Sequence, residues 1–325
     1  MKKLRIGILG ASKVALKNVI PALLEINDLF EIVGVSGRDY DRTIEFSKIN
    51  NLVPIKDHDK LLNEKLDFVY ISLPNALHYP WVIKALNLGL NVVCEKSLGC
   101  NFIQVKEMVN LALKKDKFLI EHFQFRFHYQ LKKIKHLLSE LGQVKSIRTS
   151  FCIPPFKDIN NIRYSKELGG GALLDNGVYV FQLCQQLLGN KLSVKYCDLL
   201  YNNTIDISGN LVVFDEESKV TVFCSFGFDH VYRCDLEIIG SKGRIFTERI
   251  YTAPKDDKII IKTEFQEEYN KIFNECELEP DNQIVNLWKY VYDNFEDQVA
   301  KKREYDNCLL QAILIEEAID YAGKE

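Results

Sequence analysis

Residues 91–96 read NVVCEK, a strand-forming run that ends on two adjacent charges, Glu95 and Lys96. An ammonium delivered to the carboxyl end of a buried strand can polarise a carbonyl and stabilise a forming oxyanion. The competing reading is a solvated loop. A second chemical feature stands near the start of the chain. RIGILGASKVA places Gly10, Ser12 and Ala15 in the spacing G-x-G-x-x-G/A, directly after a strand and opening a helix. Such a turn rests a pyrophosphate on backbone N–H groups, here those of Gly10, Ser12, Lys13 and Val14. Ser12 departs from the pattern: its hydroxyl can hydrogen-bond a phosphate, while its Cβ keeps the ligand further off.

The second strand bears on which dinucleotide fits. EIVGVSGRD carries no acid at its end for ribose hydroxyls; Ser36 and Gly37 stand there, followed by Arg38. A 2′-phosphate could pair with Arg38, supported by Ser36, which favours NADP(H) with NAD(H) possible. Alternatively, Arg38 pairs on the surface with Asp39 or Asp41. A third strand end, SLPNALH, brings Leu73, Pro74, Asn75 and His78 to the edge where a nicotinamide would lie. In an open α/β sheet ligands collect beyond the carboxyl ends of the strands, and Glu95 and Lys96 share that edge.

The elements that position these residues follow from periodicity. Strands are expected at Leu4–Leu9, Glu31–Val35, Phe68–Leu73, Asn91–Cys94 and Phe118–Glu121, with helical patterns such as Tyr79–Leu88 and Ile103–Lys114 between them. Strands alternating with helices indicate βαβ units and a parallel sheet covered on both faces. After residue 122 the pattern changes. A helix at Tyr129–Leu141, a strand at Val144–Cys152, a Pro-containing loop and a helix at Gly177–Leu188 precede six strand-like runs within residues 191–262. Those runs have little helix between them, which implies antiparallel pairing in a second sheet. Two amphipathic helices, Gln283–Lys301 and Asp306–Ala322, close the chain. The expected class is α/β: a Rossmann domain at 1–121, then an α+β domain at 122–325 with a large, open, mostly antiparallel sheet.

Bulk properties narrow the partners. The 325 residues carry a net charge of −3 and no aromatic-interleaved basic stripe, so no nucleic acid is expected. Nine cysteines at irregular spacing, without C-x-x-C, suit reduced thiols in the cytoplasm. The apolar run after Lys2-Lys3 is too short for a signal peptide and reads as the first strand. No stretch approaches the ~20 apolar residues that span a bilayer, and a soluble protein is expected. His58, His128, His136 and His230 lack metal-ligand spacing, so no metal is expected.

Several of these segments together resemble the Gfo/Idh/MocA oxidoreductases over nearly the whole chain. The family's E-K-P is present as Glu95-Lys96-Ser97, its P-N-x-x-H as Pro74, Asn75 and His78, and EHFQFRFH follows the last Rossmann strand. GGGALLDNGVY, residues 169–179, matches G-G-G-x-L-x-D-x-G-x-H/Y. Ser97 replaces the proline whose cis peptide aims the lysine in the family, and His122 stands where many members carry Asn. The resemblance implies hydride transfer between a nicotinamide and a sugar or polyol carbon. Tyr179 at the last motif position, with residues 232–254, looks most like the NADP-dependent 3-ketoreductases of nucleotide-linked deoxysugars.

On that basis Tyr179 is the expected general acid. A neighbouring ammonium, Lys96, would bring the phenol, whose ordinary pKa is ~10, nearer its useful range. Asp175, four residues before Tyr179, would orient a substrate hydroxyl or Lys96, or cap the helix beginning near Gly177. His122 could contact substrate or be a satisfied structural histidine. Arg163, just upstream of the glycines, would approach cofactor or substrate. The resemblance also implies a homodimer or homotetramer formed through the second-domain sheet. Oxidation of a free sugar, polyol or dihydrodiol, and a non-catalytic NADP-binding sensor, are the competing functions.

Overall fold

The structure, a computed structural model, describes residues 2–267 and 270–323. Two compact units are present: Met1–His122 with Ile284–Leu309, and Phe123–Gln283 with Leu310–Glu325.

In the first unit, β1 (Leu4–Leu9) runs through the glycine turn into a π turn at Ala15–Val19 that continues as α1 (Ile20–Glu25). There follow β2 (Phe30–Ser36), α2 (Tyr40–Ile49), β3 (Pro54–Ile55), α3 (His58–Leu62) and β4 (Phe68–Ile71). The remainder is α4 (His78–Asn87), β5 (Asn91–Cys94), α5 (Phe102–Lys115) and β6 (Leu119–Glu121). All pairings are parallel, in the order β3-β2-β1-β4-β5-β6. The order reverses direction at β1, where dinucleotide-binding sheets place their crevice. Every residue of β4 is fully buried, as a sheet covered on both faces requires.

The second unit opens with α6 (Tyr129–Leu137), β7 (Val144–Cys152) and α7 (Val178–Leu188). Seven strands follow: β8 (Leu192–Asn202), β9 (Ile205–Asp215), β10 (Thr221–Gly227), β11 (Arg233–Gly240), β12 (Gly243–Thr247), β13 (Ile259–Glu267) and β14 (Asn270–Leu278). The sheet order is β14-β13-β12-β11-β7-β10-β9-β8. Every pairing is antiparallel except β7 with β10, which run parallel in the register Ser146↔Thr221 to Cys152↔Gly227. Strand β14 was not expected, because its mixed charges hide any alternation. The face packed on α7 supplies the core, with Val194, Leu211, Val213, Val222, Leu236 and Ile238 buried against Phe181 and Leu183.

The last two helices differ from expectation. The pattern Gln283–Lys301 is interrupted: α8 (Gln283–Asn294) stops, and α9 (Gln298–Ala322) begins behind Asp297. Asp297 accepts hydrogen bonds from the N–H groups of Val299 at 2.7 Å and Ala300 at 3.1 Å, which fixes a helix start. Residues 284–309, expected with the second domain, pack with the first unit instead. Trp288 is fully buried, its ring 5.5 Å from that of Phe30 and 5.9 Å from that of Tyr70, and Phe295 lies 5.5 Å from Phe68. Lys301 donates to Asp116 at 2.6 Å. Apolar surface on the parallel sheet is thus covered by a helix more than two hundred residues downstream of the strands that carry Phe30, Phe68 and Tyr70.

Candidate functional site

The glycine turn is built as a phosphate-binding turn should be. Gly10 has φ +114°, and a Cβ there would meet the Ser72 carbonyl oxygen at 2.3 Å. Only glycine fits so close to the neighbouring strand end. Ser12 corrects one expectation: its hydroxyl already accepts from the Ala15 N–H at 3.0 Å and contacts the Ser72 hydroxyl. It caps the helix, so its side chain is engaged within the protein, while Lys13 and Val14 are exposed at the helix start. Ser36 is likewise engaged. It is fully buried with its hydroxyl 2.7 Å from His58 Nδ1, and does not stand open beside Arg38. Arg38 is exposed and, among the described residues, in no ion pair within 4.0 Å; Asp39 instead caps α2 through the Arg42 N–H. Gly37 is obligatory, since a Cβ would fall 2.4 Å from Thr43 Oγ1. The turn, the helix start and an uncommitted arginine at the end of β2 therefore fit a dinucleotide with a 2′-phosphate.

At the next strand ends the structure brings together Glu95, Lys96, His78 and His122, and adds Tyr70 and Glu121. Glu95 was expected to reach cofactor; its carboxylate is instead clasped from within. Tyr70 donates to it at 2.6 Å and His122 Nδ1 lies 3.1 Å away. Burial pushes the Glu95 carboxyl up, but His122, the Tyr70 hydroxyl and Lys96 together outweigh it and hold the group below its ordinary range. Burial and the same carboxylate push the Tyr70 phenol well above its usual value. His122, expected at substrate, is 2 % exposed and packed 5.6 Å from the Tyr70 ring and 6.2 Å from Trp288.

The backbone after Lys96 is pinned just as firmly. The Lys96–Ser97 peptide bond is cis, with serine in the proline's place. Leu98 N–H donates to Glu121 Oε1 at 2.8 Å, and the Ser97 hydroxyl donates to the Gly99 carbonyl at 3.0 Å. His78 is completely buried, with Nδ1 2.7 Å from the Ser97 carbonyl and Nε2 2.8 Å from that of Leu73. It ties two strand ends together and offers no nitrogen outward, contrary to the expectation of a cofactor ligand. Burial lowers its pKa even though both carbonyls favour the charged ring. Asn75 opens a short 3-10 turn just before α4. Lys96 itself is half-buried, with fixed neighbours on both sides. Glu121 went unnoticed in the sequence, although an acid closing a buried strand is the signal that drew attention to Glu95.

The second unit presents Tyr179 on α7, with 7 % exposure. Its ring lies among those of Phe151, Phe123, Tyr251 and Phe125, at centroid distances of 4.9, 5.2, 5.7 and 5.9 Å. Asp175 and Arg163 are brought together: Arg163 Nε donates to Asp175 Oδ2 at 2.5 Å, and its guanidinium stacks 4.8 Å from the Phe156 ring. Asp175 is not a helix cap. A π turn at Leu173–Gly177 runs straight into α7, so the helix starts earlier than expected. Its first turn is held by Asp206, whose Oδ2 accepts from the Leu173 N–H at 2.6 Å. Gly171 adopts φ +112°, and a Cβ there would strike Asp206 Oδ1 at 2.1 Å. Burial pushes the Asp206 carboxyl up to about 6, despite the N–H groups of Leu173 and Ala172. No local signal marked Asp206, whose partner lies 33 residues earlier in the chain. Among the described residues no cluster of three or more His, Cys, Asp or Glu could hold a metal, and no helix is long and apolar enough to cross a membrane.

A parallel sheet that switches at a glycine turn, joined to an α+β unit, defines a Rossmann-type dinucleotide-binding protein. Residues 4–123 match "Oxidoreductase family, NAD-binding Rossmann fold" and residues 131–246 match the "GFO/IDH/MocA C-terminal domain". The chain belongs to the Gfo/Idh/MocA family of oxidoreductases. It is 30% identical over 326 aligned residues to a dTDP-3,4-didehydro-2,6-dideoxy-alpha-D-glucose 3-reductase of Streptomyces antibioticus, covering 98% of this chain and 97% of that one. The same-named enzyme of Actinomadura kijaniata is 32% identical over 81% of this chain and 80% of its own. A 3-ketoreductase from A. kijaniata, solved with NADP and TDP-benzene, superposes with TM-score 0.91 at 28% identity, covering 98% of each chain. That enzyme has also been solved with single lysine and tyrosine substitutions.

Proposed function

We propose that this oxidoreductase uses NADPH to reduce the 3-keto group of a nucleotide-linked deoxysugar. The observation that carries the reading is end-to-end similarity to a dTDP-sugar 3-reductase, with 98% of this chain aligned. The glycine turn, the helix start beyond it and Arg38 would hold the cofactor, which supplies the hydride when bound. The protein must supply charge and a proton. Lys96 polarises the carbonyl and stabilises the oxygen as negative charge develops on it. Tyr179 gives its phenolic proton to that oxygen, and the phenolate recovers a proton from solvent. The clasps at Glu95 and Leu98 support a fixed ammonium, because backbone held on both sides leaves little freedom to wander. The Arg163–Asp175 pair supports a role for Asp175 in orienting a sugar hydroxyl.

Exposed Tyr196, Leu200, Phe223, Ile260 and Phe273 on strands of the larger sheet support a homodimer or homotetramer. The free thiols of all nine cysteines suit the cytoplasm.

NADPH consumption measured against dTDP-linked 3-keto sugars, with free keto sugars as controls, tests the reading. Turnover confined to the nucleotide-linked compounds is expected. Tyr179→Phe should lower kcat about 10²- to 10⁴-fold with KM little changed, and Lys96→Ala about 10²- to 10³-fold. Undiminished kcat in either variant removes that residue from the chemistry.

A further inference from the structure

Arginines of the second unit generally have a carboxylate at hand: Arg148 and Arg244 at Glu237, Arg163 at Asp175, Arg233 at Asp235. Arg249 differs. Among the described residues it has no carboxylate within 4.0 Å, although its side chain is only partly exposed. Its Nη2 donates to the Thr252 carbonyl at 3.0 Å, and its guanidinium lies 5.1 Å from the Tyr232 ring centroid. Its Nε is buried without a hydrogen-bond partner. A guanidinium partly withdrawn from water with no counter-charge is costly to keep. Its planar fork matches the oxygens of a phosphate in pairs.

The position is fixed. Gln130 Nε2 donates to the Arg249 carbonyl at 3.0 Å, and Ile250 N–H donates to Cys234 at 3.0 Å. Two residues on, the Tyr251 ring lies 5.7 Å from that of Tyr179 and 5.1 Å from Phe151. The unmatched cation therefore sits on the segment that packs against the proposed acid.

We propose that Arg249 binds the diphosphate of the nucleotide-linked substrate, a role that rests on the nucleotide-sugar reading above. The remaining donors of the fork receive two phosphate oxygens, and the ligand supplies the missing counter-charge. The sugar is thereby anchored at the end remote from its reacting carbon, and remote binding of this kind positions the carbonyl.

Calorimetric titration of the full chain, saturated with NADP, separates the possibilities. dTDP and thymidine are the two probes. Arg249→Ala should weaken dTDP about 10- to 100-fold and leave thymidine unchanged. Arg249→Lys, which keeps the charge without the fork, should recover only part of the loss and serves if the alanine variant fails to fold. NADPH affinity should not move in either. Unaltered dTDP binding in both variants overturns the assignment, as does an equal fall for dTDP and thymidine or a loss confined to NADPH. If the unmodified protein takes up no dTDP, the nucleotide-sugar reading falls first and this role with it.

Discussion

At the scale of single residues, the site depends on which polar groups are already engaged within the protein. Ser12, Ser36, His78 and Glu95 all carry types suited to touching a ligand, and all have partners inside the fold. Arg38 and Arg249 have no carboxylate partner within 4.0 Å among the described residues, which is what the proposed anion-binding roles require. Arg38→Ala should therefore weaken NADPH about 10- to 100-fold while leaving NADH unchanged, as read by fluorescence titration. Equal weakening of both dinucleotides would take the 2′-phosphate away from Arg38. Local sequence showed which residues could do chemistry, because Lys96 and Tyr179 lie in recognisable spacings. It could not show which were engaged: the Ser36–His58 contact spans 22 positions and the Glu95–Tyr70 bond 25. A hydroxyl open to a phosphate and one spent on a buried imidazole look alike along a chain.

At the scale of elements, the three consecutive glycines before α7 explain themselves only through a strand. Gly171 is held at φ +112° against the Asp206 carboxylate, and Gly170 has no room for a Cβ, which would meet the Arg163 carbonyl at 2.4 Å. The turn, β9 and the first turn of the Tyr179 helix form one device. Gly171→Ala should cost roughly 1–3 kcal/mol of stability, measured by urea unfolding, and should lower kcat by displacing that helix. Adding Asp206→Ala should restore part of the space but none of the backbone conformation, so recovery is incomplete. Full recovery would show that φ at 171 is unimportant. The helix starting point was misplaced in the sequence because its cap comes from β9; Asp175 and Gly177 looked like a start only in the absence of Asp206. The interruption of the closing helices at Asp297 was legible in principle, since a capping aspartate stands there, but the apolar period runs on across it.

At the scale of the whole molecule, buried titratable groups set opposing pH responses. His58, His78 and His128 have pKa values lowered chiefly by burial. Each is neutral in the fold, while the unfolded chain takes a proton near pH 6.5, so their stabilisation is lost as pH falls below that value. Asp206 acts the other way. Its folded pKa of about 6 exceeds the ordinary 3.8, so its contribution is complete below pH 3.8 and lost as pH rises through about 6. Asp206→Asn should accordingly exceed the parent in stability by about 2–3 kcal/mol at pH 8, and the advantage should vanish near pH 4. Its acid limb should be steeper, because the opposing term is gone. Unfolding free energies at three pH values check this, and a constant difference across them would mean that Asp206 does not titrate in this range. The two-part class and the mostly antiparallel second sheet could be read from periodicity. The cover that α8 gives the first unit could not, since periodicity records which face is apolar and never what lies on it.

The parallel pair inside the larger sheet bears on how the chain matures. Both neighbours of β7 come from residues 221–240, far behind it in order of synthesis. A ribosome releasing this polypeptide would expose the central strand with both edges bare until β10 emerges, and with one edge bare until β11 follows. Pairing over so long an interval is slow and open to self-association. Yield in a heterologous host should accordingly depend on growth temperature and on holdase chaperones.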